Sequence, residues 1–183
     1  MSFFILGVIV FFSIHIVPAT PLKANIVANI GAGPFKGVFS LISIVGLALI
    51  IYGLTQASFH SLWVPPTWSR QLLIAIMPVS IILLCAAELP NNIKRIVRHP
   101  MLLGMILWGF GHLLANGDLA STILFASFAL FSLTNIFIVN SRGNRKEQLA
   151  VSKRWDLAVV VVGLGAYLLL FYFHGSFTGM PLR

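Results

Sequence analysis

Histidines are the residues through which this chain could do chemistry. It carries five in 183 residues, against four carboxylates and one cysteine. The carboxylates Glu88, Asp118, Glu147 and Asp156 fall at the ends of apolar runs or between them, so paired-carboxylate acid/base chemistry inside an apolar core is not expected. Cys85 alone excludes an intrachain disulfide and a zinc site built from several thiolates. Neither a glycine-rich phosphate loop following a strand nor a serine–histidine–acid set can be picked out. His60 and His174 fall at the edges of apolar runs and read as interfacial polar residues. His15, in FSIHIV, and His112, in WGFGHLLAN, lie within apolar runs, and His99 sits in the RHP that leads into the second of these. An ionisable group among apolar neighbours is costly, which makes it either a hydrogen-bonded partner of a neighbouring helix or a ligand.

The elements that must position these histidines follow from composition. Charged residues are 9% of the chain, apolar residues 58%, and mean hydropathy is +0.98. A soluble domain carries about 25% charged residues, and a disordered chain needs low hydrophobicity. Six apolar stretches approach the roughly 20 residues a helix needs to cross a bilayer. They are FFILGVIVFFSIHIV, then 38–56, 71–87, 101–117, 119–139 and 157–174. The expectation is an all-α, polytopic membrane protein, a six-transmembrane-helix bundle forming a single domain over 1–183. The first stretch lacks a basic flank before it and an A-x-A site after it, and reads as a retained helix rather than a signal peptide. Pro78 is expected to kink the third helix, its freed carbonyl satisfied by a neighbour. Asn116-Gly117-Asp118 predicts a tight turn joining spans four and five as an antiparallel hairpin.

The net charge of +8 reads as orientation. Lys23 and Lys36, then Lys94, Arg95 and Arg98, then Arg142, Arg145, Lys146, Lys153 and Arg154 fall in loops one, three and five. Arg70 and Arg183 alone fall on the other side. That asymmetry places the basic loops in the cytoplasm beside anionic lipid and both termini outside. The basic stretch 142–155 contains nothing that reads bases, so nucleic acid is not an expected partner.

Helix bundles hold haem between histidines of facing helices. His99 and His112 are 13 residues apart on one helix, about 20 Å of rise, and cannot share an iron. Placing spans as straight ladders separates His15 and His112 by about 10–15 Å along the normal, while His15 and His99 match better in depth. Gly109, Trp108 and Asn116 lie three or four residues from His112 and share its side of the helix. Gly109 would admit either a flat ring or another helix. Glu88, close in sequence to Lys94, Arg95 and Arg98, reads as an interfacial ion-pair partner, and Cys85 as a small buried hydrophobe.

The run RIVRHPMLLGMILWGFGHLLANGD at 95–118, PFKGVFSLISIVG at 34–46, LWVPPTW at 62–68 and the histidine of FSIHIV resemble the NnrU family of bacterial membrane proteins. The resemblance implies an inner-membrane protein required for expression or activity of nitrite and nitric oxide reductases in denitrification, and so denitrification enzymes or their assembly factors as partners. The RHP…H segment is also similar to zeta-carotene isomerase, a membrane protein that binds haem b. That resemblance implies haem ligands at His15 and His112, with Gly109 where the isomerase has a cysteine. A more distant likeness to membrane methyltransferases using S-adenosylmethionine rests on Arg98, His99, Pro100 and Gly104, with Leu102 in a tyrosine's place. Downstream, Glu147 stands beside Lys146 and Gln148 rather than a second acid. The alternative expectation is therefore a membrane enzyme, either an isomerase of polyenes or a methyltransferase acting through Arg98, His99 and Glu147.

Overall fold

The structure, a computed structural model, describes residues 1–143 and 149–178. Its order is α1 (Ser2–Ile16), a 3-10 turn over Val17–Ala19, α2 (Leu22–Ile30), α3 (Ala32–Thr55), α4 (Ser69–Glu88), α5 (Ile93–Ile96), α6 (Pro100–Ala115), α7 (Leu119–Ser141) and α8 (Lys153–Thr178). The described residues are helices and their connections, with one isolated bridge pairing Ser61 and Asp118. Among them, five helices are long and apolar enough to cross a bilayer: α1 with its 3-10 extension, α3, α4, α7 and α8. The expectation of six spans is met in five. The fourth apolar stretch forms α6, whose 16 residues rise about 24 Å, short of a hydrocarbon core of roughly 30 Å. Pro100 at its first turn and the Asn116-Gly117-Asp118 turn after its last fix that length.

Helix ends follow local chemistry. Gly31, at φ 88°, ends α2 and opens α3, a backbone state glycine adopts without steric cost. Pro34 falls in the first turn of α3, where a missing N–H costs nothing, so this helix starts six residues before the predicted 38 and takes in Lys36. Asp118 begins α7 by accepting the Ser121 N–H at 3.0 Å, an N-cap of the usual kind. Pro78, inside α4, cannot donate to the carbonyl of Ile74. The Tyr167 hydroxyl of α8 donates to that carbonyl instead, at 3.3 Å.

The chain divides into two compact units. The first comprises Met1–Leu62 and Asp118–Ser127. In it α1 packs along α3 at close backbone range. A Cβ on Gly7 would lie 2.5 Å from the Ile50 nitrogen, and one on Gly46 2.9 Å from the Phe11 nitrogen; one on Gly53 would run into the Phe4 backbone. Gly46 and Gly53 are seven residues apart and share a face. Phe4, Ile50 and Ala120 form the buried centre, with Phe11, Leu54 and Ile123 packed around it.

The second unit comprises Trp63–Gly117 and Phe128–Arg183, with α4 packed against both α6 and α8. Gly104 and Gly111 repeat the seven-residue spacing on α6. A Cβ at Gly104 would meet the Ser80 carbonyl at 2.9 Å, and one at Gly111 the Ile76 Cδ1 at 2.8 Å. Gly163 of α8 lies against Ile82 in the same way. Large apolar side chains point outward in both units: Leu41 and Ile44 are 63% and 64% exposed, Phe137 66%, Leu168 and Leu169 61% and 62%. Apolar surface this extensive is unfavourable in water and natural in lipid.

Candidate functional site

The second unit gathers polar side chains from different helices. At one end of α6, His99 precedes Pro100, and its Nε2–H donates to the Asn140 Oδ1 of α7 at 2.9 Å. Because an amide oxygen only accepts, the neutral His99 ring is protonated at Nε2. Nearby, the Asn92 N–H and Nδ2–H donate to the two carboxylate oxygens of Asp156, at 2.6 and 2.8 Å. The Asn92 side chain also exchanges hydrogen bonds with the backbone of Val151, at 2.9 and 3.0 Å. This clasp ties the segment before α5 to the start of α8. Arg98, which precedes His99, is exposed, and Glu147 lies outside the described residues.

At the other end of α6, the His112 Nδ1–H donates to the Trp108 carbonyl one turn back, at 2.8 Å. A carbonyl only accepts, so the lone pair of the neutral ring is on Nε2. The Trp108 ring lies 5.1 Å from the imidazole and meets Phe128 of α7 edge-on at 5.5 Å. Asn116 closes the helix by donating its Nδ2–H to the His112 carbonyl at 2.8 Å. Gly109 is buried on the same helix. His174 of α8 faces His112 with ring centres 6.5 Å apart and planes 21° from parallel. Its interfacial reading did not anticipate this; the two residues are 62 apart in sequence, and only the packing of α6 and α8 on α4 brings them together.

His15 belongs to the first unit. Its Nδ1–H donates to the Phe11 carbonyl at 2.6 Å, which again puts the lone pair of the neutral ring on Nε2. Its ring stacks on Phe11 at 4.1 Å and meets Phe39 of α3 edge-on at 5.1 Å. A shallow groove lined by Pro18, Phe35, Lys36, Phe39 and Ser40 lies alongside. His60 is exposed in the connection after α3, where its carbonyl accepts the Leu119 N–H at 2.9 Å. Glu88 ends α4 exposed, and Cys85 is half-buried one turn earlier. Among the described residues, histidine, cysteine and carboxylate side chains do not gather in groups of three or more.

A protein whose described residues form helices, five of them long and apolar enough to cross a bilayer, is a membrane protein. The family model described as NnrU protein matches residues 3–182, nearly the whole chain, and the protein belongs to that family. Neither the curated proteins nor the solved structures provide a match.

Proposed function

We propose that this protein is a six-span redox protein of the bacterial inner membrane that supports nitrite and nitric oxide reductases in denitrification, with haem b held at His112. The observation that carries this reading is the fixed state of the His112 ring. Its Nδ1–H is held by the Trp108 carbonyl, the arrangement that orients a metal-ligating imidazole and raises the basicity of its other nitrogen. The donor set therefore suits haem iron. In the first unit, the Phe11 carbonyl holds the His15 ring in the same way. Haem bound by two imidazoles supplies one-electron transfer or redox sensing. Trp108 restrains the His112 ring, and Asn116 secures the helix end beneath the site.

In this reading α6 counts as the sixth span, its short length accommodated by local bilayer thinning. Both termini then face the periplasm, and the basic loops face anionic lipid in the cytoplasmic leaflet. The test is genetic. Removing the protein from a denitrifying host should impair nitrite and nitric oxide reduction. The wild-type chain should restore both, and His112→Ala should not, at equal protein level in the membrane. Full restoration by His112→Ala would overturn the haem role.

A further inference from the structure

We propose that His174 is the imidazole opposite His112 at a transition-metal centre, in the place the resemblance gives to His15. The inference rests on His112 being the metal-binding histidine of the proposed function and changes its partner.

Three observations converge on the pair. The first is the hydrogen-bond direction at His174. The Thr178 hydroxyl donates to the His174 carbonyl at 2.8 Å, so its oxygen accepts at 3.1 Å from the His174 Nδ1–H. The lone pair of the neutral His174 ring is then on Nε2, as in His112. Two imidazoles of helices packed on α4 are thus held at Nδ1 by their own helices, both with the nitrogen that ligates metals in its basic state. The second is spacing. Two imidazoles opposed across one metal, each at a metal–nitrogen distance of about 2.1 Å, have ring centres roughly 6 Å apart. The observed separation, 6.5 Å between stacked rings 21° from parallel, is close to that figure and serves a shared ion once the two Nε2 atoms turn toward it, whereas His15 rests directly on Phe11 at 4.1 Å. The third is the helix field. His112 lies in the last turn of α6, where the negative end of the helix dipole favours a cation.

The chemistry required is a metal that accepts imidazole nitrogen, arriving as a bare ion or as haem iron. Among the described residues no third histidine, cysteine or carboxylate joins the pair, so the remaining coordination positions would be filled by a macrocycle or by water.

The experiment uses full-length protein purified in detergent from haem-replete cells. Absorption and electron paramagnetic resonance spectra are recorded for wild type, His15→Ala, His112→Ala, His174→Ala and His174→Met, with size-exclusion chromatography and thermal melting as folding controls. If haem is present, the expected result is a six-coordinate bis-imidazole signature that survives in His15→Ala and is lost in His112→Ala and His174→Ala. His174→Met should retain haem at a raised reduction potential, since a methionine ligand raises it. Loss in His15→Ala with an unchanged spectrum in both His174 variants would overturn the inference while leaving haem at His112 intact. If every preparation is colourless, haem binding fails, and titration with Cu2+ decides the pair. One equivalent bound by wild type and by His15→Ala, with at least tenfold weaker binding in both His112→Ala and His174→Ala, supports it. Binding unaffected by those two substitutions, or absent from wild type, overturns it.

Discussion

The two units bring helices together through glycines in the same heptad-like spacing, Gly46 and Gly53 in one and Gly104 and Gly111 in the other, and then differ in what they do with polar groups. In the first unit the side-chain hydrogen bonds of Ser43, Thr55 and His15 return to carbonyls of their own helices, three or four residues back. The α1–α3 contact is apolar and close. In the second unit Ser80, Asn92, His99 and Tyr167 reach other elements, and His174 comes to His112. Helices in lipid gain little from apolar burial against each other, so close packing and interhelical hydrogen bonds must hold them. The first unit relies on the former and reads as scaffold; the second adds the latter, and its polar groups are placed where chemistry is possible.

The largest expected break is in the first unit. Gly53→Leu puts a side chain into the Phe4 backbone and should destabilise by at least the 1–3 kcal/mol typical of overpacking, read as a lower melting temperature in detergent. A melt unchanged from wild type would mean that α1 and α3 are not held by this seam. Next comes the Asn92–Asp156 clasp. Asp156→Ala removes the acceptors of the Asn92 N–H and of one Asn92 amide bond, leaving the amide its bonds to Val151, and should lower the melting temperature in detergent. Asn92→Ala added to it should cost much less than it does alone, because the two side chains act as one unit. Additive effects in that cycle would show the clasp to be incidental.

Those two sites also mark what was legible in the sequence. The apolar runs located every long helix to within six residues, because a bilayer demands about 20 apolar residues whatever the helix packs against. Local rules accounted for the stop at Asn116-Gly117-Asp118. The carbonyl freed by Pro78 was expected to find a neighbour, though not to find Tyr167. The short α2 and α5 were missed, since they are neither long nor uniformly apolar. The clasp joins residues 64 apart, and the His112–His174 pair joins residues 62 apart. Sequence periodicity carries no information on contacts at that range. His174 consequently read as an interfacial residue, and Asp156 as a carboxylate at the end of an apolar run.

Smaller effects sharpen the contrast. Ser80→Ala removes the buried 2.8 Å bond from Oγ to the Gly104 carbonyl, and bonds of this kind in membrane bundles contribute about 0.6 kcal/mol on average. Ser43→Ala removes a bond of similar length, 2.8 Å to Phe39 within one helix, and should change stability by less than about 0.5 kcal/mol. Thermal melts of the two variants side by side check the order. A larger loss for Ser43→Ala would reverse the assignment of polar cross-linking to the second unit.

The placement of chemistry at His112 is tested most directly by the absorption spectrum of the full-length protein, purified in detergent from haem-replete cells, beside His112→Ala and His60→Ala. The predicted result is a Soret band that shifts on reduction, is absent in His112→Ala and is unchanged in His60→Ala. A colourless wild-type protein, or a Soret band that His112→Ala leaves intact, would contradict it.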